Sequence, residues 1–471
     1  MRKLEEKGIK RNLLSVMLAQ VISMGASVVM AFLVPKVLGI EEYAQWQTFI
    51  LYTGYCGMAA IGANDGMLLR LGGRRIESVG WGEFGNVFLL FAAIQVAFGV
   101  ISFAFAISSD DLIVRLPLVV AAIYLPIYNI TTYLQYFFQA TNHAELFARS
   151  SNINRAVFLV FLIGLVAFRS SSHIPYVVAY TVSLAVSLTY CIWTLRTLLH
   201  CEGVAFNSTI MVFRDDVISG MNIMIAFYAG LLILGVGRFA VQSCCSVYEF
   251  SYYSFASSLM GFALTFIAQI GVIMFPMLKR ADAGRQELVI KEVETGLELL
   301  TPALFLIYPI LAACVEGWLP DYIVAIKLFA FFFPALLWDV KTNLVYLPLM
   351  KARRREKDLI SINVGSLLVS VVLVVPVVVV LKNIYLAAFF SSIAVVVRSL
   401  LLRAKLGEGR DCPLLDRWGI IELVGVFLYS ILLFKAPYFM TSIFSLVYFV
   451  AYFAIRRDDY KRSISKIIRL S

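Results

Sequence analysis

Apolar runs of about 17–25 residues recur from Leu13 to Ile455, separated by short polar stretches. A helix needs about 20 such residues to cross the hydrocarbon core of a bilayer. The pattern predicts fourteen spans: Leu13–Val34, Trp46–Leu69, Asn86–Ile107, Leu116–Phe138, Asn152–Phe168, Ile174–Leu195, Val217–Gly237, Phe250–Leu278, Leu299–Val315, Ile323–Leu349, Ile360–Leu381, Ile384–Leu402, Trp418–Phe434 and Tyr438–Ile455. The fifth has the shortest unbroken apolar core, Ala156–Phe168. Almost nothing large lies between the runs, so function must reside in the helix bundle.

Charge tests the count. With the N-terminus inside the cell, the segments expected inside carry Arg70, Arg74 and Arg75, then Arg149 and Arg155, Arg196 and Arg214, and Lys279 to Lys291. They continue with Lys351 to Lys357, Arg403 to Arg417, and the basic tail from Arg456 to Arg469. The segments expected outside hold Lys36, Arg115, Arg169, Arg238, Lys382 and Lys435. The excess is roughly five to one and alternates without a break, as the positive-inside rule requires. One missed or invented helix would invert every later loop. The expected fold is therefore an all-α membrane protein of about fourteen transmembrane helices with both termini cytoplasmic. Residues 1–200 form an N-terminal six-helix lobe and 201–405 a second lobe in matching orientation. Residues 406–471 form an appended helix pair and a basic cytoplasmic tail. Parallel repeats of this kind place a substrate path between two lobes. The basic N-terminus runs into a full-length span with no small-residue cleavage site, and reads as a retained first helix.

Composition narrows the function classes. Of 471 residues, 61% are hydrophobic and 15% charged, against about 25% charged in soluble domains. The net charge of +10 lies beside helix ends rather than in a patch, so no nucleic-acid partner is expected. Seven cysteines without a CxxC pair, and only three histidines, suggest neither a disulfide framework nor a zinc site. Cys244 and Cys245 read as two free thiols in an outer loop. No nucleotide-binding, nucleophile-elbow or HExxH motif is present, so no catalytic residues and no cofactor are expected.

Candidate chemistry rests on the few ionisable groups at membrane depth. A charge at a helix centre costs about 2.5–3.5 kcal/mol on insertion scales, and such groups tend to face an interior or a wet cavity. Asp65 lies near the inner end of span 2 within Gly62-Ala-Asn-Asp-Gly66, where two glycines loosen the helix and expose backbone groups, and Asp65 and Arg70 flank Gly66-Met67-Leu68-Leu69. The segment reads either as a polar gate or as a helix cap anchored by Arg70. Asp339 and Lys341 lie within span 10, about 200° apart on a helix, so each needs its own partner. Arg398 lies within span 12, and Glu422 one turn into span 13, where it reads as structural. Lys341 and Arg398 are the candidate cavity cations, with snorkelled anchors as the alternative. Asp65 and Asp339 are the candidates for ion coupling by H+ or Na+, or for gating.

Three motifs carry a family resemblance. Ile61-Gly-Ala-Asn-Asp-Gly-Met-Leu-Leu-Arg-Leu-Gly-Gly73 resembles the G-x-x-D-G-x-x-x-R-x-G-G stretch of bacterial polysaccharide transporters. These are flippases for lipid-linked oligosaccharides such as O-antigen repeat units, within the multidrug/oligosaccharidyl-lipid/polysaccharide exporter superfamily. Val236-Gly-Arg-Phe239, followed by Val247-Tyr-Glu-Phe-Ser-Tyr-Tyr-Ser254 and Phe275-Pro-Met-Leu-Lys-Arg280, is similar to that family's seventh and eighth helices. The third is Met350-Lys-Ala-Arg-Arg-Arg355. The resemblance implies a bacterial inner-membrane flippase whose substrate has a polyprenyl tail, a diphosphate and a short glycan. Membrane lipids and glycan polymerases would be its surroundings and partners. Lys341, Arg398 and, at the inner mouth, Arg70 would receive the headgroup. Two departures stand out. Gly237 occupies the place before Arg238 where many members carry an acid, and the first helix lacks the arginines typical of lipid II flippases. The alternatives are a multidrug or organic-cation antiporter of the same superfamily, which would favour acidic cavity residues, and an O-antigen polymerase or ligase, which usually has a large outer loop.

Overall fold

The computed structural model describes residues 29–74, 76, 79–108, 112–196, 206–280, 283–407, 417–435, 438–457 and 459. All regular structure among them is helical. Apolar chain in lipid must satisfy its own backbone groups, and a helix does so within one segment. Among the described residues, nine helices are long and apolar enough to cross a membrane. The pair Glu292–Pro302 and Leu304–Trp318, bent by 43°, is long and apolar enough only when its two halves are taken together. Phe439–Ile455 is a shorter apolar helix. Most of the expected first span, Leu13–Val34, lies outside the described residues.

The polarity pattern is that of a membrane protein. Phe105, Val160, Phe168, Val380 and Phe439 are exposed, whereas Gln95, Asn129, Ser150, Ser187, Ser391 and Ser399 are fully buried. Lipid tails are as apolar as leucine, so packing and interhelical hydrogen bonds hold such helices together. Two compact units result, Met1–Tyr228 and Ala229–Ser471.

The first unit contains α1 (Val34–Thr53), α2 (Ala63–Leu71), α3 (Trp81–Ile107), α4 (Leu112–Ala140), α5 (Ala144–Ala167), α6 (His173–Leu195) and the start of α7 (Phe206–Cys244). Helix α4 is its axis, packing on α1, α2, α3, α5 and α6. Phe84, Phe88, Phe91, Tyr133 and Phe137 form its aromatic core, with the Tyr133 and Phe91 rings stacked at 4.6 Å. The expected second span is not one helix. Helix α1 ends at Thr53, a 3-10 turn covers Cys56–Ala60, and α2 begins after left-handed Ile61 and Gly62 (φ 46° and 83°). Such a break frees backbone carbonyls at membrane depth, and buried amides take them up. Asn129 donates to the Cys56 carbonyl at 3.1 Å and Gln95 to the Ala59 carbonyl at 2.9 Å. The Asn129 amide also bonds Gln95 Oε1 at 2.7 Å, which locks the two together.

The second unit continues with the rest of α7, α8 (Val247–Arg280), α9 (Ala283–Trp318), α10 (Ile323–Lys341), α11 (Leu347–Ala352), α12 (Glu356–Pro376), α13 (Ile384–Leu406), α14 (Arg417–Lys435) and α15 (Tyr438–Ile455). Helix α10 is central, packed by α8, α9, α13 and α14, and almost wholly buried. A π-turn at Thr342–Tyr346 joins it to α11. Pro348 follows immediately and has no N–H to give, so the regular bond ladder cannot run through this point. Helices α14 and α15, expected as an appended pair, pack on α9 and α10. Tyr429 ties them in by donating to the Phe305 carbonyl at 2.8 Å and meeting Ser445 at 2.6 Å.

Candidate functional site

Three groups of polar residues stand out, a partly buried one at the broken segment, a buried one around α10, and one on α5 where Arg155 is exposed. At the break, α2 crosses α7 with backbone against backbone. A Cβ on Gly66 would lie 1.8 Å from the Asp216 carbonyl oxygen, and one on Gly220 would lie 2.0 Å from that of Gly62. Only glycine admits this approach. Below the crossing, Arg70 makes a two-pronged bond to Asp216, Nε to Oδ1 and Nη2 to Oδ2, both at 2.8 Å. Arg70 also lies 3.4 Å from Glu83. It therefore serves as a clamp between α2 and α7 in this conformation. Asp65, half-buried one turn earlier, faces the hydroxyl-bearing rings of Tyr136 and Tyr228.

Around α10, Asp339 and Lys341 diverge and find separate partners, as their spacing requires. The Lys341 ammonium donates to the Glu422 carboxylate from α14 and sits 4.7 Å over the Trp338 ring. Glu422 takes a second bond, 2.7 Å, from the Thr301 hydroxyl. Lys341 is 4% exposed and Glu422 2%, so this pair is sealed. Arg398 is held more loosely. Its Nε donates to Asn363 at 2.9 Å, and its Nη1 reaches Asp339 only at 3.5 Å. Its other nitrogen lies against Gly230, where a Cβ would come within 2.9 Å. Among the described residues, one carboxylate oxygen at the limit of bonding and one amide leave most of the guanidinium fork uncommitted.

The third group escaped the sequence reading. Arg155 counts there as an inner anchor, because the fifth span was expected to begin at Asn152. The helix begins at Ala144, eight residues before the expected span, so Arg155 stands at the middle of the helix. The turn at Thr141–Asn142, with Asn142 left-handed (φ 62°), and Glu145 in the first helical turn are the local signals that mark the earlier start. Asp216 was missed for the opposite reason. Nothing local shows that an acid beside Arg214 and Asp215 turns inward to meet a residue 146 positions away. Glu422, read as structural, supplies the counter-ion of Lys341.

No protein-family model matches the chain, and no curated protein matches it. Solved structures do. The chain is similar to the lipid II flippase MurJ in an inward closed conformation, with TM-score 0.69, 11% identity, and coverage of 94% of this chain and 98% of that one. It is also similar to an inward-facing multidrug resistance MATE transporter of the MOP superfamily, with TM-score 0.60, 11% identity, and coverage of 89% and 96%. A MATE protein in its straight conformation follows at TM-score 0.51 and 12% identity, covering 89% and 95%. The chain thus shares the fold of this lipid II flippase and of these MATE proteins.

Proposed function

We propose that this chain is a flippase of the bacterial cytoplasmic membrane, carrying a polyprenyl-diphosphate-linked oligosaccharide from the inner to the outer leaflet by alternating access. The fold is shared with a lipid II flippase and with multidrug transporters, so the choice between them rests on chemistry. The observation that carries the reading is Arg398, a buried guanidinium within a span whose only carboxylate contact among the described residues is a single 3.5 Å one. A diphosphate brings more charge and more acceptor oxygens than one Asp, and matches the guanidinium fork with two parallel bonds. It can therefore displace Asp339 from Arg398. Lys341 acts in the same way only in a conformation that separates it from Glu422. Arg70 contributes at the inner mouth only when its clamp on Asp216 opens. The motif resemblance to polysaccharide transporters points the same way and favours an O-antigen or capsule-type unit over lipid II.

Export in a cell lacking its own flippase tests the reading. Arg398→Ala abolishes export of the glycan while membrane abundance stays at the wild-type level. Normal export from that variant removes Arg398 from the substrate path. Asp65 and Asp339 are the groups available for coupling to H+ or Na+. If the glycan moves down its own gradient, neither is needed, and export then persists when the ion gradients are collapsed.

The MATE likeness supports a second reading, an organic-cation antiporter in which Asp339 binds the drug. Saturable binding of a cationic dye, lost in Asp339→Asn, would favour it.

A further inference from the structure

Three polar residues line a single face of α9. Glu294, Glu298 and Thr301 stand four and three residues apart, so they form one stripe about 10 Å long. Each grips a different element of the second unit. Glu294 accepts from the Tyr346 hydroxyl, at the end of the π-turn, at 2.7 Å and from Arg403 on α13 at 3.3 Å. Glu298 accepts from Arg456, just past α15, at 3.0 Å. Thr301 donates to Glu422 on α14 at 2.7 Å, and Glu422 holds Lys341 of α10. Glu298, Thr301, Tyr346, Glu422 and Arg456 are all buried, so the stripe is shut in this conformation.

The back of the same segment is open. A Cβ on Gly296, about 200° round the helix from Glu294, would meet nothing within 4 Å among the described residues, and Leu300 is 56% exposed. The stripe ends where α9 bends. Pro302 has no N–H for the Glu298 carbonyl, and the axis turns by 43° between Glu292–Pro302 and Leu304–Trp318. The second proline of the helix, Pro309, is braced, because the carbonyl it frees, that of Phe305, accepts from Tyr429 at 2.8 Å. At the far side of the Tyr346 bond, the entry to the π-turn is held by side chains. Thr342 donates to the Trp338 carbonyl at 3.1 Å and Asn343 to that of Asp339 at 2.9 Å.

Buried ion pairs hold helices no better than apolar side chains of the same volume. Their advantage is release. A polar contact exchanges for water at small net cost, whereas an apolar face bared to water forfeits its burial. A stripe of carboxylates and a hydroxyl therefore suits a surface that is sealed in one state and wet in another. We propose that Glu292–Pro302 is a strap, latched here by Glu294, Glu298 and Thr301 and released as one unit about Pro302 when water enters the stripe. Release frees the π-turn at Tyr346 and the end of α15 at Arg456 together, so the strap couples two elements far apart in the chain. The device goes beyond the flippase reading and needs no particular cargo.

Hydrogen exchange of the purified full-length protein in phosphatidylcholine nanodiscs tests it. The stretches that decide are 292–302, 342–352 and 450–457, with α12, which the stripe does not grip, as the reference. Tyr346→Phe and Glu298→Gln each remove one grip and raise exchange about fivefold or more in all three stretches, and the double variant raises it by about the product. Exchange in α12 stays at the wild-type rate. Pro302→Ala restores the missing N–H, stiffens the hinge and slows exchange in the same three stretches. Faster exchange only beside the substituted residue means separate bonds and overturns the strap. So does a rise that extends equally to α12, which marks loosening of the whole fold. Unchanged exchange in Pro302→Ala overturns release about that residue. Glycan export is not read, so either result leaves the flippase reading to its own test.

Discussion

The pair Lys341–Glu422 shows how a single residue fixes the fate of a buried charge. Removing one member strands the other, at a cost of about 3–5 kcal/mol for a buried pair, whereas replacing both by apolar side chains of similar size is often neutral. Glu422→Ala therefore lowers the thermal midpoint of the purified protein sharply, and Lys341→Met with Glu422→Leu restores most of it. An equal loss in the single and double variants contradicts the sealed-pair geometry. The double variant also asks whether transport needs this cation. The divergence of Asp339 and Lys341 was legible in their spacing of two, because helical geometry alone sets it. Their partners were not, since Glu422 and Arg398 lie 81 and 59 residues away in the chain. The start of α5 was not legible either, since its first eight residues are polar and lie before the apolar run that marks the span.

At the scale of elements, the broken second span is the feature most of the surrounding structure is built to support. The sequence Gly62-Ala-Asn-Asp-Gly66 announces a loosened helix, and left-handed Gly62 delivers it. The 3-10 turn before it could not be read locally. It persists because Asn129 on α4 and Gln95 on α3 accept the burden of the freed carbonyls. Asn129→Leu leaves the Cys56 carbonyl unsatisfied, so it destabilises the turn by about 1–3 kcal/mol. Faster hydrogen exchange confined to residues 54–62 is the expected signature; unchanged exchange there contradicts the assignment. Gly66→Ala forces a methyl onto the Asp216 carbonyl and separates α2 from α7, costing about 1–3 kcal/mol as overpacking does. The same substitution at Gly164, which has open space around it, leaves the thermal midpoint within error.

For the molecule as a whole, the hydropathy and the alternating basic loops together predict fourteen spans with both ends inside. Single cysteines placed in a cysteine-free chain at positions 171 and 383 should react with an impermeant maleimide from outside the cell, and one at 354 only after permeabilisation. The reverse pattern at any of them breaks the topology. The all-helical membrane fold was legible because lipid permits so few alternatives. Its substrate is a question of charge at depth. The most direct test is translocation by the purified protein in liposomes, using a fluorescent polyprenyl-diphosphate disaccharide reported by quencher access to the outer leaflet. The wild type moves the probe across and Arg398→Ala does not, while a neutral prenyl disaccharide is ignored by both. Movement of the diphosphate probe at the same rate with wild type, Arg398→Ala and empty liposomes contradicts the account.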